Sequence, residues 1–107
     1  MSALNHINDN NFEAEVINSE VPVLIEFGAV WCGPCKRQLP ILEEFAESNK
    51  DSVKVLSLDI DESPVVTGKF NVRGVPTLML FKDGKKVGVK VGLTTKAGLE
   101  NLLKENL

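Results

Sequence analysis

Two residues of this chain carry a nucleophilic sulfur, Cys32 and Cys35, and they stand three positions apart in the run Phe27-Gly28-Ala29-Val30-Trp31-Cys32-Gly33-Pro34-Cys35-Lys36. The form of cysteine that attacks is the thiolate, which needs stabilisation at neutral pH. A strand-like run, Val21 to Phe27, leads into the motif, and a long helical pattern, Pro34 to about Ser48, leads out of it. A helix start supplies unpaired backbone N–H groups and the positive end of the macrodipole. A helix beginning near Cys32 therefore sets that sulfur where an anion is favoured. Cys35 falls one turn further on, on the same side and close enough to bridge. Gly33 presents no side chain, so a second backbone can approach Cys32. Pro34 fixes φ and lacks an N–H that the first turn leaves unpaired in any case. The pattern points to a disulfide that opens and closes with little movement.

Three plainer readings compete. A structural staple closing so short a loop removes little entropy from the unfolded chain. A zinc site needs about four ligands, and His6 is the one other soft ligand in the sequence, so no metal is expected. Two ordinary core cysteines would not need Gly-Pro between them.

The elements that must position the sulfurs follow from apolar patterning. Val21 to Phe27 is apolar on both faces, as in a central strand covered on both sides. Before it, residues 3 to 7 suit an edge strand. Asn10 and Glu13 resemble a capping box, predicting a short helix from about Asn11 to Asn18 with Phe12 and Val16 inward. After the cysteines, Leu39, Leu42, Phe45 and Ala46 form a helical stripe, with Pro40 inside the helix and expected to kink it. Val53 to Ile60 is a second buried strand, and Ser63-Pro64 reads as N-cap and first position of a short helix ending near Phe70. Strand, helix, strand, helix at this pacing predicts right-handed crossovers and parallel pairing. Thr77 to Phe81, the Asp83-Gly84 turn and Val87 to Val91 predict an antiparallel hairpin, with Met79 in the core. Thr94 or Thr95 then caps a last helix with Leu99, Leu102 and Leu103 inward. The expected fold is α/β, a mixed sheet of about five strands with helices on both faces.

Composition bounds the function. The 107 residues suit a single domain, 1–107, and 43% hydrophobic residues are enough for a core. A net charge of −3 argues against nucleic acid or an anionic membrane as partner. No apolar stretch reaches spanning length, and the start, Met1-Ser2-Ala3-Leu4-Asn5-His6, has no basic or apolar leader. A cytoplasmic protein is the expectation, and a close Cys-x-x-Cys in a reducing compartment reads as redox chemistry.

Trp31-Cys32-Gly33-Pro34-Cys35-Lys36, the Pro40 kink, Arg73-Gly74-Val75-Pro76-Thr77, Asp83-Gly84 and Val91-Gly92 together resemble the thioredoxin family over essentially the whole chain. The resemblance implies the thioredoxin fold and a protein-disulfide reductase, a monomeric electron carrier of cell redox homeostasis. By that likeness Cys32 is the exposed nucleophile and Cys35 the resolving thiol. Trp31, Gly33, Pro34 and Lys36 support the motif. The pair is reset by a separate flavin-dependent thioredoxin reductase drawing on NADPH. The chain itself needs no bound cofactor, and no Gly-x-Gly-x-x-Gly is present. The likeness also implies a cis bond at Val75-Pro76 and a flat apolar surface for extended protein substrates, made by Trp31, Gly33, Pro34, Gly74, Val75, Pro76, Val91, Gly92 and Leu93. Singly, each of these residues also has a structural reading, Pro76 as an edge-strand proline among them.

Glu26 interrupts the central strand. A buried carboxylate is costly unless paired or protonated, and burial raises its pKa. It is either a general acid/base for Cys35 or a strand-end acid reaching solvent. The resemblance favours the first, because the family has a buried acid there. That acid is usually Asp. Two other positions depart from the family, Gly28 where a second Trp is frequent and Ser57 where a Lys stands beside the acid. The first change loosens packing above the motif. The second removes a cation and leaves Glu26 easier to protonate. Lys36 and Arg37 read equally as support for the thiolate or as solvated charge, and His6 is assigned no chemistry. Two rival functions remain: a disulfide oxidase or isomerase on the same fold, and a binding subunit of a larger complex. The Gly-Pro insert, the buried acid and the absence of an export signal favour the reductase, and the presence of both cysteines weighs against binding alone.

Overall fold

The computed structural model describes residues 4–107. Five strands form one mixed sheet: β1 (Asn5–Ile7), β2 (Val23–Gly28), β3 (Lys54–Asp59), β4 (Thr77–Lys82) and β5 (Lys85–Val91), in the order β1-β3-β2-β4-β5. β3 pairs in parallel with both β1 and β2, while β4 runs antiparallel to β2 and to β5. β2 therefore lies at the centre, and all six of its residues are buried. Parallel neighbours require crossover connections, which helices supply. Here α1 (Gly33–Ser48) crosses from β2 to the parallel β3, α2 (Pro64–Lys69) leads from β3 to the oppositely directed β4, and α3 (Lys96–Asn106) closes the chain.

Alternation along the strands divides the core in two. On one face Val23, Ile25, Phe27, Leu56, Leu58 and Phe81 pack with Phe12, Val16 and Val66. On the other Leu24, Val55, Leu78 and Leu80 pack with Leu42 and Phe45 of α1 and Leu99 and Leu102 of α3. Met79 is buried on the first face, as expected of a strand core residue.

Several predicted ends are drawn differently. The first helix is a five-residue π-helical turn, Glu13–Ile17, in which Asn18 N–H reaches Glu13 O at 2.9 Å. No side chain caps it and the Asn10–Glu13 box is not formed. The Asn8 and Asn11 carboxamides accept from the N–H groups of Asn10 and Asn8 instead, both at 2.8 Å. The Asx turn at Asn8 has taken the Asn10 N–H that the Glu13 carboxylate would accept from in a box. Ser63 stands at the N-cap of α2, yet its hydroxyl is buried without a partner among the described residues. The cap comes from Asp9, whose two carboxylate oxygens accept from Val65 and Val66 N–H at 3.0 and 2.9 Å. Thr95 caps α3 by accepting from Gly98 N–H at 3.0 Å. Pro40 lies inside α1 on its exposed side. The hairpin turn places Asp83 and Gly84 at φ 54° and 78°, the left-handed pair that a two-residue hairpin requires. The hairpin strand begins two residues earlier than predicted, with a register shift between Leu80 and Phe81.

Candidate functional site

β2 ends at Gly28 and α1 starts at Gly33, so the four residues between them turn the chain from the sheet centre onto its face. Cys32 is the N-cap of α1, with φ −93° and ψ 110°, and its Sγ accepts from Cys35 N–H at 3.1 Å. Sulfur occupies the place that a Ser or Asp oxygen takes in an ordinary cap. The two sulfurs are joined as a disulfide, with the Cα atoms 5.3 Å apart. Both features follow from the three-residue spacing read at a helix mouth. Gly33 and Pro34 fill the first helical positions, and a side chain at 33 would meet nothing within 4 Å. The approach to the motif from that side is open.

Exposure departs from expectation. Cys32 is 4% exposed and Cys35 5%. The closed disulfide does not set one sulfur out in solvent. Ala29, Ile60 and Val75 pack around the pair; the resemblance implied the Val75-Pro76 bond against the cysteines, and Ala29 and Ile60 complete the cover. Access to Cys32 along the S–S axis therefore depends on what lies above it and not on bare surface.

Val75-Pro76 is cis, as the resemblance implied. Pro76 is buried, and its carbonyl accepts from Gly92 N–H at 2.8 Å. Gly92 takes φ 95°, a left-handed backbone suited to glycine. A Cβ on Gly74 would stand 3.6 Å from Val91 Cγ1, so the loop before β4 and the end of β5 lie side by side. Val91 and Leu93 are exposed large apolar residues, as are Val30 and Trp31. Trp31 donates from Nε1 to Asp61 Oδ2 at 2.8 Å, which orients its exposed indole. Two positioning residues were missed from the sequence. Asp61 is one. The other is Gln38, fully buried on α1, whose amide donates to Thr94 O at 2.9 Å and accepts from Thr94 N–H at 2.8 Å. A polar residue on the inward face of an apolar helix was the signal available for Gln38. Val30, apolar and exposed between the strand and the motif, was likewise passed over.

Behind the disulfide lies Glu26, 2% exposed on β2. It does not reach solvent as a strand-end acid would. Its Oε2 has no hydrogen-bond partner among the described residues. Burial pushes its pKa from 4.5 up to about 7. A Cβ built on Gly28 would stand 3.4 Å from both Glu26 Oε2 and Cys35 Sγ. The carboxylate and the sulfur thus face the same gap, within twice that distance of each other. The gap opens into a cleft of about 650 Å³ that also reaches His6, Lys36 and Ser57. Lys36 lines this cleft together with Glu26 and Cys35.

A sheet centre that delivers a buried acid, a helix mouth that holds a paired sulfur, and a cis-proline loop packed over that pair define a thiol-disulfide oxidoreductase. The chain belongs to the thioredoxin family, whose model matches residues 3–105. It is 42% identical to "Thioredoxin 1" of Synechococcus elongatus, with all of both chains covered. It is 45% identical to the thioredoxin of Acidithiobacillus ferridurans over 98% of this chain and 97% of that one. With the thioredoxin of Rickettsia prowazekii the identity is 39%, over 97% and 99%. Among the described residues no helix is long and apolar enough to cross a membrane.

Proposed function

We propose that this chain reduces disulfides of other proteins, with Cys32 as attacking thiolate, Cys35 as resolving thiol and Glu26 as the base that serves Cys35. The observation that carries the reading is the bond from Cys35 N–H to Cys32 Sγ at the mouth of α1. A donor already aimed at sulfur, together with the positive helix end, favours the anion over the thiol. In the forward cycle the Cys32 thiolate attacks one sulfur of a target disulfide. A mixed disulfide forms, and the other target sulfur leaves as a thiolate and takes up a proton. Cys35 gives its proton to the Glu26 carboxylate and attacks Cys32 Sγ. The Cys32–Cys35 bond closes, the second target sulfur leaves, and two electrons have passed to the target. A carboxyl with a pKa of about 7 is matched to accept a proton near neutrality.

The exposed apolar residues Trp31, Val91 and Leu93, with the backbone of Gly74, Val75, Pro76 and Gly92, serve as the surface on which an extended substrate segment lies. Recycling falls to a flavin-dependent thioredoxin reductase drawing on NADPH, with the chain working as a monomeric, cytoplasmic carrier that holds no cofactor of its own. The test is reduction of insulin disulfides by NADPH through such a reductase, with Cys32→Ser as control. Turnover that persists in Cys32→Ser, or a reduction potential in the range of a disulfide oxidase, overturns the reading.

A further inference from the structure

The cleft behind the disulfide has a feature that the cysteine chemistry does not use. His6, Ser57 and Glu26 are register partners across β1, β3 and β2, so they form one row on a single face of the sheet. Parallel strands lie about 4.8 Å apart, which puts the ends of the row about 10 Å from each other. The row runs from an exposed histidine on the edge strand, through a mostly buried serine, to the unpartnered Glu26 Oε2. All three line the same cleft, which opens beside Cys35 because residue 28 has no side chain. A cleft of about 650 Å³ with polar groups along one wall has room for several waters.

We propose that this row is a proton path, in which His6 exchanges with solvent the proton that Glu26 takes from Cys35. The proposal rests on the reading of Glu26 as the base for Cys35. The path balances at each step. Cys35 S–H loses its proton to Glu26. The carboxyl passes it to solvent in the cleft or to Ser57 Oγ, which releases its own hydroxyl proton onward. One nitrogen of the His6 imidazole accepts, and the other releases a proton to bulk water. No electrons move and no bond to sulfur is involved. Histidine is suited to such passage near neutrality, because one nitrogen accepts while the other donates. A carboxyl walled off from water would have to wait for a rare opening before each turnover; the row removes that wait. The charged groups facing the cleft from the packed elements are His6 on β1, Lys36 on α1, Asp59 at the end of β3 and Glu62 in the following loop. His6 is the one that lies in register with Glu26. It acts through Glu26 and touches neither the sulfurs nor the substrate, so it is a positioning residue for the proton.

The experiment follows closure of the mixed disulfide by stopped flow, with insulin as oxidant and the chain's one tryptophan, Trp31, as reporter. It compares His6→Gln, Glu26→Gln and wild type across pH 6–9 in dilute buffer. His6→Gln is expected to slow closure by roughly tenfold near pH 7, less than loss of the base itself, and to change the shape of the pH profile. Added imidazole restores the rate in His6→Gln and leaves wild type unchanged. If His6→Gln keeps the wild-type rate and profile while Glu26→Gln is slow, the path is overturned and the base stands. If His6→Gln is slow at every pH and imidazole does nothing, the effect is structural and the path is likewise overturned. If Glu26→Gln closes as fast as wild type, the base reading falls and takes the path with it.

Discussion

Replacing Glu26 by Gln is expected to stabilise the oxidised protein at alkaline pH and to leave it nearly unchanged in acid. The carboxyl has a pKa of about 7 in the fold, against 4.5 for the ordinary side chain, and burial is the cause. The folded chain therefore keeps a proton that the unfolded chain gives up between those two values. The stability that goes with it is fully present below pH 4.5 and is lost as pH rises through 7. At about 1.4 kcal/mol per pH unit, that interval amounts to about 3 kcal/mol. Gln keeps the size and carries no charge, so it escapes the loss. The assay is guanidinium unfolding of the disulfide form of both proteins at pH 4.5, 6 and 8.5, which keeps thiol titration out of the comparison. The stability gap between variant and wild type should open from near zero to about 3 kcal/mol over that range. A gap that stays constant with pH refutes the reasoning, because Glu26 would then ionise alike in folded and unfolded chains.

The other expectations are simpler to state. Cys35→Ser leaves the mixed disulfide without its resolving thiol and is expected to trap covalent adducts with target proteins, detectable on non-reducing gels; Cys32→Ser should trap none. Ser57→Lys sets a cation in register beside Glu26 and lowers its pKa, so the pH profile of disulfide closure moves to lower pH. An unmoved profile would mean that the lysine charge does not reach the carboxyl. Asp9→Ala removes both bonds to the first turn of α2 and is expected to destabilise the fold by about 1 kcal/mol in urea unfolding. A loss much below that would show that water replaces the cap.

What the sequence made legible was local. Cys32 at the helix mouth follows from three-residue spacing and a Pro at the first turn. The buried strands follow from unbroken apolar runs, and the hairpin from Asp83-Gly84, whose left-handed pair no longer-range contact has to impose. What stayed hidden was non-local. Ser63 and Pro64 read as a self-capped helix start, yet the cap crosses 56 positions from Asp9. Part of the cover over the cysteines comes from Ile60, which no spacing connects to Cys32. The row from His6 to Glu26 exists only once β1 and β2 flank β3, because strand order and register are decided by packing. Glu26 itself was visible as an interruption of an apolar strand, but its burial needed the sheet around it.

Gln38 ties α1 to the loop after β5 through two bonds to one residue, Thr94. The helix that carries the sulfurs is thereby held beside the loop that carries Leu93 and follows Val91 at the end of β5. Any tilt of the helix when its disulfide opens is handed to a surface made by residues more than fifty positions further along the chain.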